Sequence, residues 1–155
     1  MRRYRPANER DVPSLVGMLA DDPLGVVREG NPDAPEPAYF DAFQAIDQDP
    51  NNLLIVVEQG QELVGMLQLT FIPYLTHLGA WRCLIEGVRV KTSYRGQGIG
   101  REMFSWAIEQ AGSRGCRLVQ LTSNKAHPDA IRFYEDLGFV ASHEGFKLDL
   151  EQPRV

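Results

Sequence analysis

The stretch Val88-Arg89-Val90-Lys91-Thr92-Ser93-Tyr94-Arg95-Gly96-Gln97-Gly98-Ile99-Gly100-Arg101 has the residue types of an anion cradle. A strand-like run leads into glycines at alternate positions, and a helical pattern opens behind them. Glycine permits a tight turn and leaves backbone N–H groups uncovered. At a helix N-terminus those groups and the helix dipole favour an anion. Arg95 and Arg101 flank the turn and add donors suited to oxygen anions. Upstream, Glu86 stands in the apolar strand Cys83 to Val90, beside Leu84, Ile85 and Val88. A carboxylate inside a sheet is costly unless it is paired or used. Burial would raise its pKa toward that of a general base. A solvent-facing glutamate, or one paired with Arg82 or Arg89, fits the same pattern.

The glycines do not follow two familiar phosphate loops. A P-loop ends in Gly-Lys-Ser/Thr, which Ile99-Gly100-Arg101 lacks. A dinucleotide fingerprint starting at Gly96 needs glycine at 101, where arginine stands, and it opens a βαβ unit near the chain start rather than past its middle. On the glycines alone, an ordinary glycine-rich turn explains the stretch equally well.

The elements that must position these groups follow from periodicity. Arg2 to Arg5 reads as a short strand. Asp11 can cap a helix with Pro13 in its first turn. Residues 22–37, rich in proline, read as a functional or mobile loop or a broken helix. Tyr39, Phe40, Phe43 and Ile46 repeat at helical spacing. Leu53 to Glu58, Glu62 to Phe71 and Trp81 to Lys91 read as strands. Arg101 to Arg114 reads as a helix stopped by Gly115. Leu118 to Thr122 is a strand, Pro128 to Leu137 a short helix, and Phe139 to Ser142 and Phe146 to Leu150 two closing strands. The order β-α-α-β-β-β-α-β-α-β-β predicts a mixed α/β sheet.

The chain has 155 residues, which fits one domain spanning 1–155. Apolar residues make up 43% and charged residues 24%, as in globular proteins. A net charge of −5 argues against general nucleic-acid binding. Cys83 and Cys116 read as buried reduced thiols, and no His/Cys cluster suggests a metal. The N-terminal MRRYRPANERD has no apolar run behind it and does not read as a secretory signal. The uncharged stretch Leu63 to Trp81 holds Gln68, Thr70, Pro73 and Gly79, too polar and broken for a membrane span. Two strands joined by a loop explain it, and a cytoplasmic protein is expected.

Arg95-x-x-Gly98-x-Gly100 behind a Val-x-Val strand resembles the coenzyme A signature of the GNAT superfamily of N-acetyltransferases. Ala130-Ile131-Arg132-Phe133-Tyr134-Glu135-Asp136-Leu137-Gly138-Phe139 resembles its second signature, Ala-x-x-Phe-Tyr-x-x-x-Gly-Phe. The resemblance implies an α/β (α+β) mixed sheet whose fourth and fifth strands splay around acetyl-CoA. It implies that Val88 and Val90 offer backbone hydrogen bonds to the pantetheine arm, like an added strand. The loop Arg95, Gly96, Gln97, Gly98, Ile99, Gly100, Arg101 would hold the pyrophosphate. Gly87 is a plausible bulge that opens the sheet. Family members often carry Asn three residues before the signature Ala; here that position is His127, and Asn124 lies three residues earlier. Either residue, or neither, contacts the cofactor, and His127 reads as a cap for the Pro128 helix.

The activity so implied moves the acetyl group of acetyl-CoA to a primary amine of a small molecule, directly in a ternary complex. No metal is implied; a homodimer is. A protein or peptide amine acetyltransferase and a silent acyl-CoA-binding module are the alternatives. The amine must lose its proton, the thioester oxygen must be stabilised, and the thiolate can take a proton. Glu86 matches a position where some GNAT enzymes carry a glutamate acting directly or through water, and a strand N–H such as that of Val88 would polarise the carbonyl. Tyr134, beside Phe133 on the helix expected near the thiol, would donate to the thiolate, or use its ring alone in the core. Tyr39, Phe40, Phe43, Tyr74 and Trp81 line an acceptor pocket or belong to the core, and Glu29, Asp33, Glu36 and Asp41 attract a cation or face water. His77 and His143 read as surface residues.

Overall fold

Runs of β-branched and aromatic residues become strands β1 (Arg2–Pro6), β2 (Asn52–Gln59), β3 (Glu62–Pro73), β4 (Trp81–Val90) and β5 (Cys116–Gln120). Helices α1 (Val12–Ala20), α2 (Pro37–Gln48), α3 (Ile99–Ser113) and α4 (Pro128–Asp136) separate or follow them. The computed structural model describes residues 1–21, 25, 28–30 and 33–151. Residues 22–24, 26, 27, 31 and 32 of the loop expected at 22–37 therefore lie outside the described residues. The chain forms two compact units, Met1–Leu121 and the part from Thr122 onward. Among the described residues no helix is long and apolar enough to cross a membrane.

In the first unit the strands make one sheet in the order β1-β2-β3-β4-β5. The first four are antiparallel, and β4 and β5 are parallel. A parallel pair needs a crossover, and α3 supplies it. Neighbouring strand residues point to opposite faces. Met66 joins Val12, Leu15, Val16 and Phe43 in a core that α1 and α2 cover. Leu67 instead meets Met103 and Phe104 of α3. Each such burial contributes about 1.5–3 kcal/mol.

Several elements differ from expectation. The helix behind the glycines begins at Ile99 rather than Arg101, because the α-helical backbone starts directly after Gly98. β5 starts at Cys116 and ends at Gln120, because its ladder with β4 runs from Trp81↔Cys116 to Leu84↔Gln120. The two closing strands at 139–142 and 146–150 do not form. A strand exists only within a ladder, and Val140, Phe146, Leu148 and Leu150 are exposed without one. Between β3 and β4 the chain turns through Thr76–Gly79, with His77 and Leu78 in the left-handed region at φ 54° and 62°.

Asp11 also behaves differently. It precedes α1 but makes no side-chain cap there. Its Oδ2 accepts from the Asn8 N–H at 2.8 Å and from Arg5 Nη1 at 2.7 Å, while Arg5 Nε donates to Glu58 Oε1 at 2.8 Å. The network ties β1 and β2 to the start of α1. Burial pushes the Asp11 carboxyl up, but the Arg5 hydrogen bonds, the Asn8 N–H and the Arg5 charge outweigh it and hold the pKa below the ordinary value. A depressed carboxyl stabilises fully above its unfolded pKa, about 3.9, and that contribution is lost as pH falls through the lower native value. Asp11→Asn is expected to cost about 1–3 kcal/mol near neutral pH. The difference from the parent should shrink in acid, as read from urea midpoints at the two pH values.

Candidate active site

The site is built around a break between parallel strands. β4 pairs with β5 only as far as Leu84↔Gln120, yet continues to Val90. Three residues past that last pair, Gly87 has φ +60°. The β3–β4 register steps from Gln68↔Glu86 to Met66↔Arg89, so β4 carries one residue more than β3 across this span. That bulge reverses the facing of the residues beyond it. Ile85 and Val88 both line a crevice with Leu67, Met103 and Phe104 on the α3 side. Glu86 and Arg89 share the opposite face.

The backbone beyond the bulge faces the break. The Lys91 N–H donates to Val64 O at 2.8 Å and so faces β3. By strand alternation, Val88 and Val90 turn their polar groups the other way, toward the opening. Val90 O accepts from Arg95 Nε at 3.2 Å and Val88 O from Arg89 Nη1 at 2.8 Å. An extended ligand arm meets there an edge of the kind that accepts an added strand.

The glycine stretch closes over the end of β4. Gly96 and Gly98 both have φ +79°, and a Cβ at either would meet nothing within 4 Å. Glycine therefore supplies the left-handed turn and an uncovered backbone, not room for a neighbour. Gly98 is the N-cap of the 15-residue α3, whose first N–H groups have no intrahelical acceptor. Ile99 is fully buried and anchors the turn, while Arg95, Gln97 and Arg101 are exposed and Gly100 is half-buried. The lead-in is clamped from two sides. Lys91 Nζ and Tyr94 OH reach Glu62 Oε2 at 3.1 and 3.2 Å, and the Thr92 hydroxyl donates to Asp21. This geometry fits a pyrophosphate.

Glu86 is exposed, so the burial expected for it is absent. Its side chain lies on the face of Gln68 and Met66, away from the crevice beneath α3. No described residue forms an ion pair with it, Arg82 and Arg89 included. Opposite it lies Gln68. Gln68 Nε2 and Thr70 Oγ1 donate to Asn52 Oδ1 at 3.1 and 2.8 Å, and Asn52 Nδ2 donates to Asp49 Oδ2 at 2.7 Å. Arg82 lies on the same face, 4.2 Å over the Tyr74 ring centroid, with Nη1 donating to Gln120 Oε1 at 3.3 Å. Sequence reasoning passed over this polar strip. Its signal was there: Gln68 with Thr70, and Arg82 with Glu86, have the even spacing that puts strand residues on one face.

The aromatic acceptor candidates divide. Phe43 is buried, and Tyr39 and Phe40 pack against the same cluster, so these three belong to the core. The Tyr39 hydroxyl donates to Glu29 O at 2.8 Å and to Glu29 Oε2; burial, then Glu29, pushes its pKa up to about 12. Glu29 is thereby engaged; Asp33, Glu36 and Asp41 are exposed. Tyr74 supports Arg82, and Trp81 is partly exposed. Cys83 is buried and Cys116 half-buried, both free thiols, and burial foremost pushes Cys83 up to about 12.

The second unit carries the other candidates. Asn124 Oδ1 accepts from the Ala126 N–H at 2.9 Å, and Asn124 O from the His127 N–H at 3.0 Å. His127 occupies the N-cap of α4, but its side chain makes no cap bond, contrary to expectation. The Asn124 turn has already organised that entry. Phe133 and Tyr134 meet edge to face at 5.6 Å, and Tyr134 meets Phe139 at 6.2 Å. His77 and His143 are exposed.

A mixed sheet that opens between two parallel strands, beside a glycine-built helix N-terminus, is the arrangement the resemblance implies for an acyl-CoA-dependent transferase. Residues 18–139 match the profile of the acetyltransferase (GNAT) family. The chain is 36% identical over 109 residues to the aminoalkylphosphonate N-acetyltransferase of Salmonella typhimurium, covering 70% of each. It is 38% identical over 88 residues to the glucosamine 6-phosphate N-acetyltransferase of Trypanosoma brucei brucei, covering 57% of this chain and 58% of that one. Among solved structures, a protein from Bacillus halodurans C-125 described as a transcriptional regulator is 53% identical, with TM-score 0.92, over 97% of this chain and all of that one. The protein belongs to the GNAT superfamily and is an acetyl-CoA-dependent N-acetyltransferase.

Proposed function

We propose that the whole chain acts as one domain that acetylates the primary amine of a small molecule by direct attack in a ternary complex. The observation that carries this reading is the unpaired edge of β4 running into the α3 cradle, with Glu86 exposed on the adjoining face. The names of the Salmonella and trypanosome relatives, an aminoalkylphosphonate and a glucosamine 6-phosphate acetyltransferase, support a small acceptor that bears a phosphorus oxyanion.

Acetyl-CoA, when bound, supplies the activated acetyl group. The N–H groups from Gly96 to Arg101, with Arg95, hold the pyrophosphate, and the Val88 and Val90 edge holds the pantetheine arm. Asn124 and Phe133 take cofactor contacts from their places around the second signature. Glu86 accepts the ammonium proton, directly or through a water that its exposure admits. With acetyl-CoA bound, the freed amine lone pair would form the new C–N bond as the C–S bond breaks, and the second nitrogen proton would leave to water. The Val88 N–H stabilises the carbonyl oxygen, and Tyr134 gives its proton to the departing sulfur.

Tyr134→Phe keeps the ring and its contacts with Phe133 and Phe139. Turnover should fall roughly 10-fold, toward the low end of general-acid effects, with folding and acetyl-CoA binding kept. Wild-type turnover with chemistry rate-limiting would return Tyr134 to packing. The function itself is tested by acetyl-CoA consumption over polyamines, aminoglycosides, amino acids, peptides and amines bearing phosphate or phosphonate. Turnover confined to peptides would replace the small-molecule reading. The description of the Bacillus protein raises DNA-level regulation as a second reading, against which the net charge of −5 stands. Salt-dependent DNA binding by this chain would revive it.

A further inference from the structure

Arg82 and Glu86 stand on one face of β4, about 13 Å apart along the strand at roughly 3.3 Å per residue. Between them the face is a hydrogen-bonding floor, with Thr70 opposite Leu84 and Gln68 opposite Glu86, both tied to Asn52. The Arg82 guanidinium is held by two neutral groups, the Tyr74 ring beneath it and Gln120 beside it. Such supports orient the planar fork without neutralising it. Arg2, Arg5, Arg28 and Arg132 each lie against a carboxylate; Arg82 meets none among the described residues. A half-buried guanidinium oriented but not neutralised, on the face that carries the candidate base, is a receptor for an anion.

We propose that Arg82 receives an anionic group at the far end of the acceptor and so selects amines that carry one. This rests on the small-amine acetyltransferase reading above. The strip is polarised along its length: the acidic end at Glu86 attracts the ammonium that must lose its proton, and the cationic end at Arg82 takes an oxygen anion. The acceptor class is therefore an amine separated by a short spacer from a carboxylate, sulfonate, phosphonate or phosphate. Arg82 is a specificity-determining residue that touches neither the reacting nitrogen nor the thioester.

The test compares acceptors of matched length: aminopropylphosphonate, aminopropanesulfonate, aminobutyrate and the uncharged aminobutanol. The wild-type protein should show kcat/KM at least about 10-fold higher for the anionic members, and their order identifies which oxygen anion fits. Arg82→Gln should lower kcat/KM for the best anionic acceptor by about 30-fold or more, mostly through KM. It should leave aminobutanol and the KM for acetyl-CoA within about twofold. Arg82→Lys should fall between, since the charge remains and the fork does not. Equal wild-type kcat/KM for charged and uncharged members, or an unchanged ratio in a folded Arg82→Gln, would overturn the assignment and leave the acetyltransferase reading standing. Thioester consumption with no member of the series, in a protein that binds acetyl-CoA, would overturn the small-amine reading and this assignment with it. The wild-type ratio decides even where the variant does not fold.

Discussion

Gly98→Asp is expected to abolish acetyl-CoA binding in a protein that still folds. The fold should survive because a Cβ at Gly98 meets nothing within 4 Å and the residue is a helix N-cap, a position aspartate fills well. The φ of +79° adds strain of about 1–2 kcal/mol, which aspartate bears better than most residues. The binding site does not survive. An aspartate side chain at the N-cap bonds the first free N–H groups of α3 itself and sets a carboxylate where the pyrophosphate belongs. Loss of those donors together with like-charge repulsion costs several kcal/mol, so the Kd should rise by about 10²-fold or more. Gly98→Ala carries the strain without the charge and should weaken binding much less. Calorimetry on both variants, with melting curves as the folding control, separates the two contributions. Unchanged affinity in a folded Gly98→Asp would move the cofactor away from α3.

Glu86→Gln should cut turnover by about 10²–10⁴-fold, the range of general-base contributions, with acetyl-CoA affinity nearly intact. Folding should be unaffected, because the side chain is exposed and no described residue forms an ion pair with it. The deficit should narrow as pH rises. An alkylammonium with pKa about 10 is almost wholly protonated at neutral pH, and each unit of pH supplies about tenfold more free amine without a base. A pH–rate profile of kcat/KM for the acceptor in both proteins reads this directly. A parallel offset at every pH would mean that Glu86 positions the amine rather than deprotonating it, and a wild-type rate at neutral pH would give it no part in the chemistry.

The β2–β3 hairpin and the end of the helix after the glycines follow expectation because hairpin and helix-stop signals are short-range. Gln59-Gly60-Gln61 joins β2 to β3 where the turn signal lay, and Gly115, at φ +77°, follows the last turn of α3. The terminal stretch from Phe139 did not follow. Phe146, Leu148 and Leu150 have the alternation of a strand, but a strand also needs a neighbour, and alternation carries no information about one. His127 was expected to cap α4 from its place before Pro128. The Asn124 side chain organises that turn instead, through a bond to Ala126 that ranking cap residues by type does not foresee.

By itself the sequence determined the cradle. Its glycines, its flanking arginines and the start of the helix behind them lie within fourteen consecutive residues, so their geometry is local, and the second signature around Tyr134 is equally contiguous. Tertiary structure alone decided the acceptor face. One extra residue at Gly87 reverses the facing of everything beyond it, which sends Val88 toward α3 and leaves Arg89 on the side of Glu86. The exposure of Glu86 depends on which neighbours other strands and helices bring to its face, and these come from elsewhere in the chain. The environment of Arg82 comes from Tyr74, beyond the end of β3, and from Gln120, thirty-eight positions further along the chain. Contacts of that kind arise from packing between elements, and composition, spacing and periodicity act only within them.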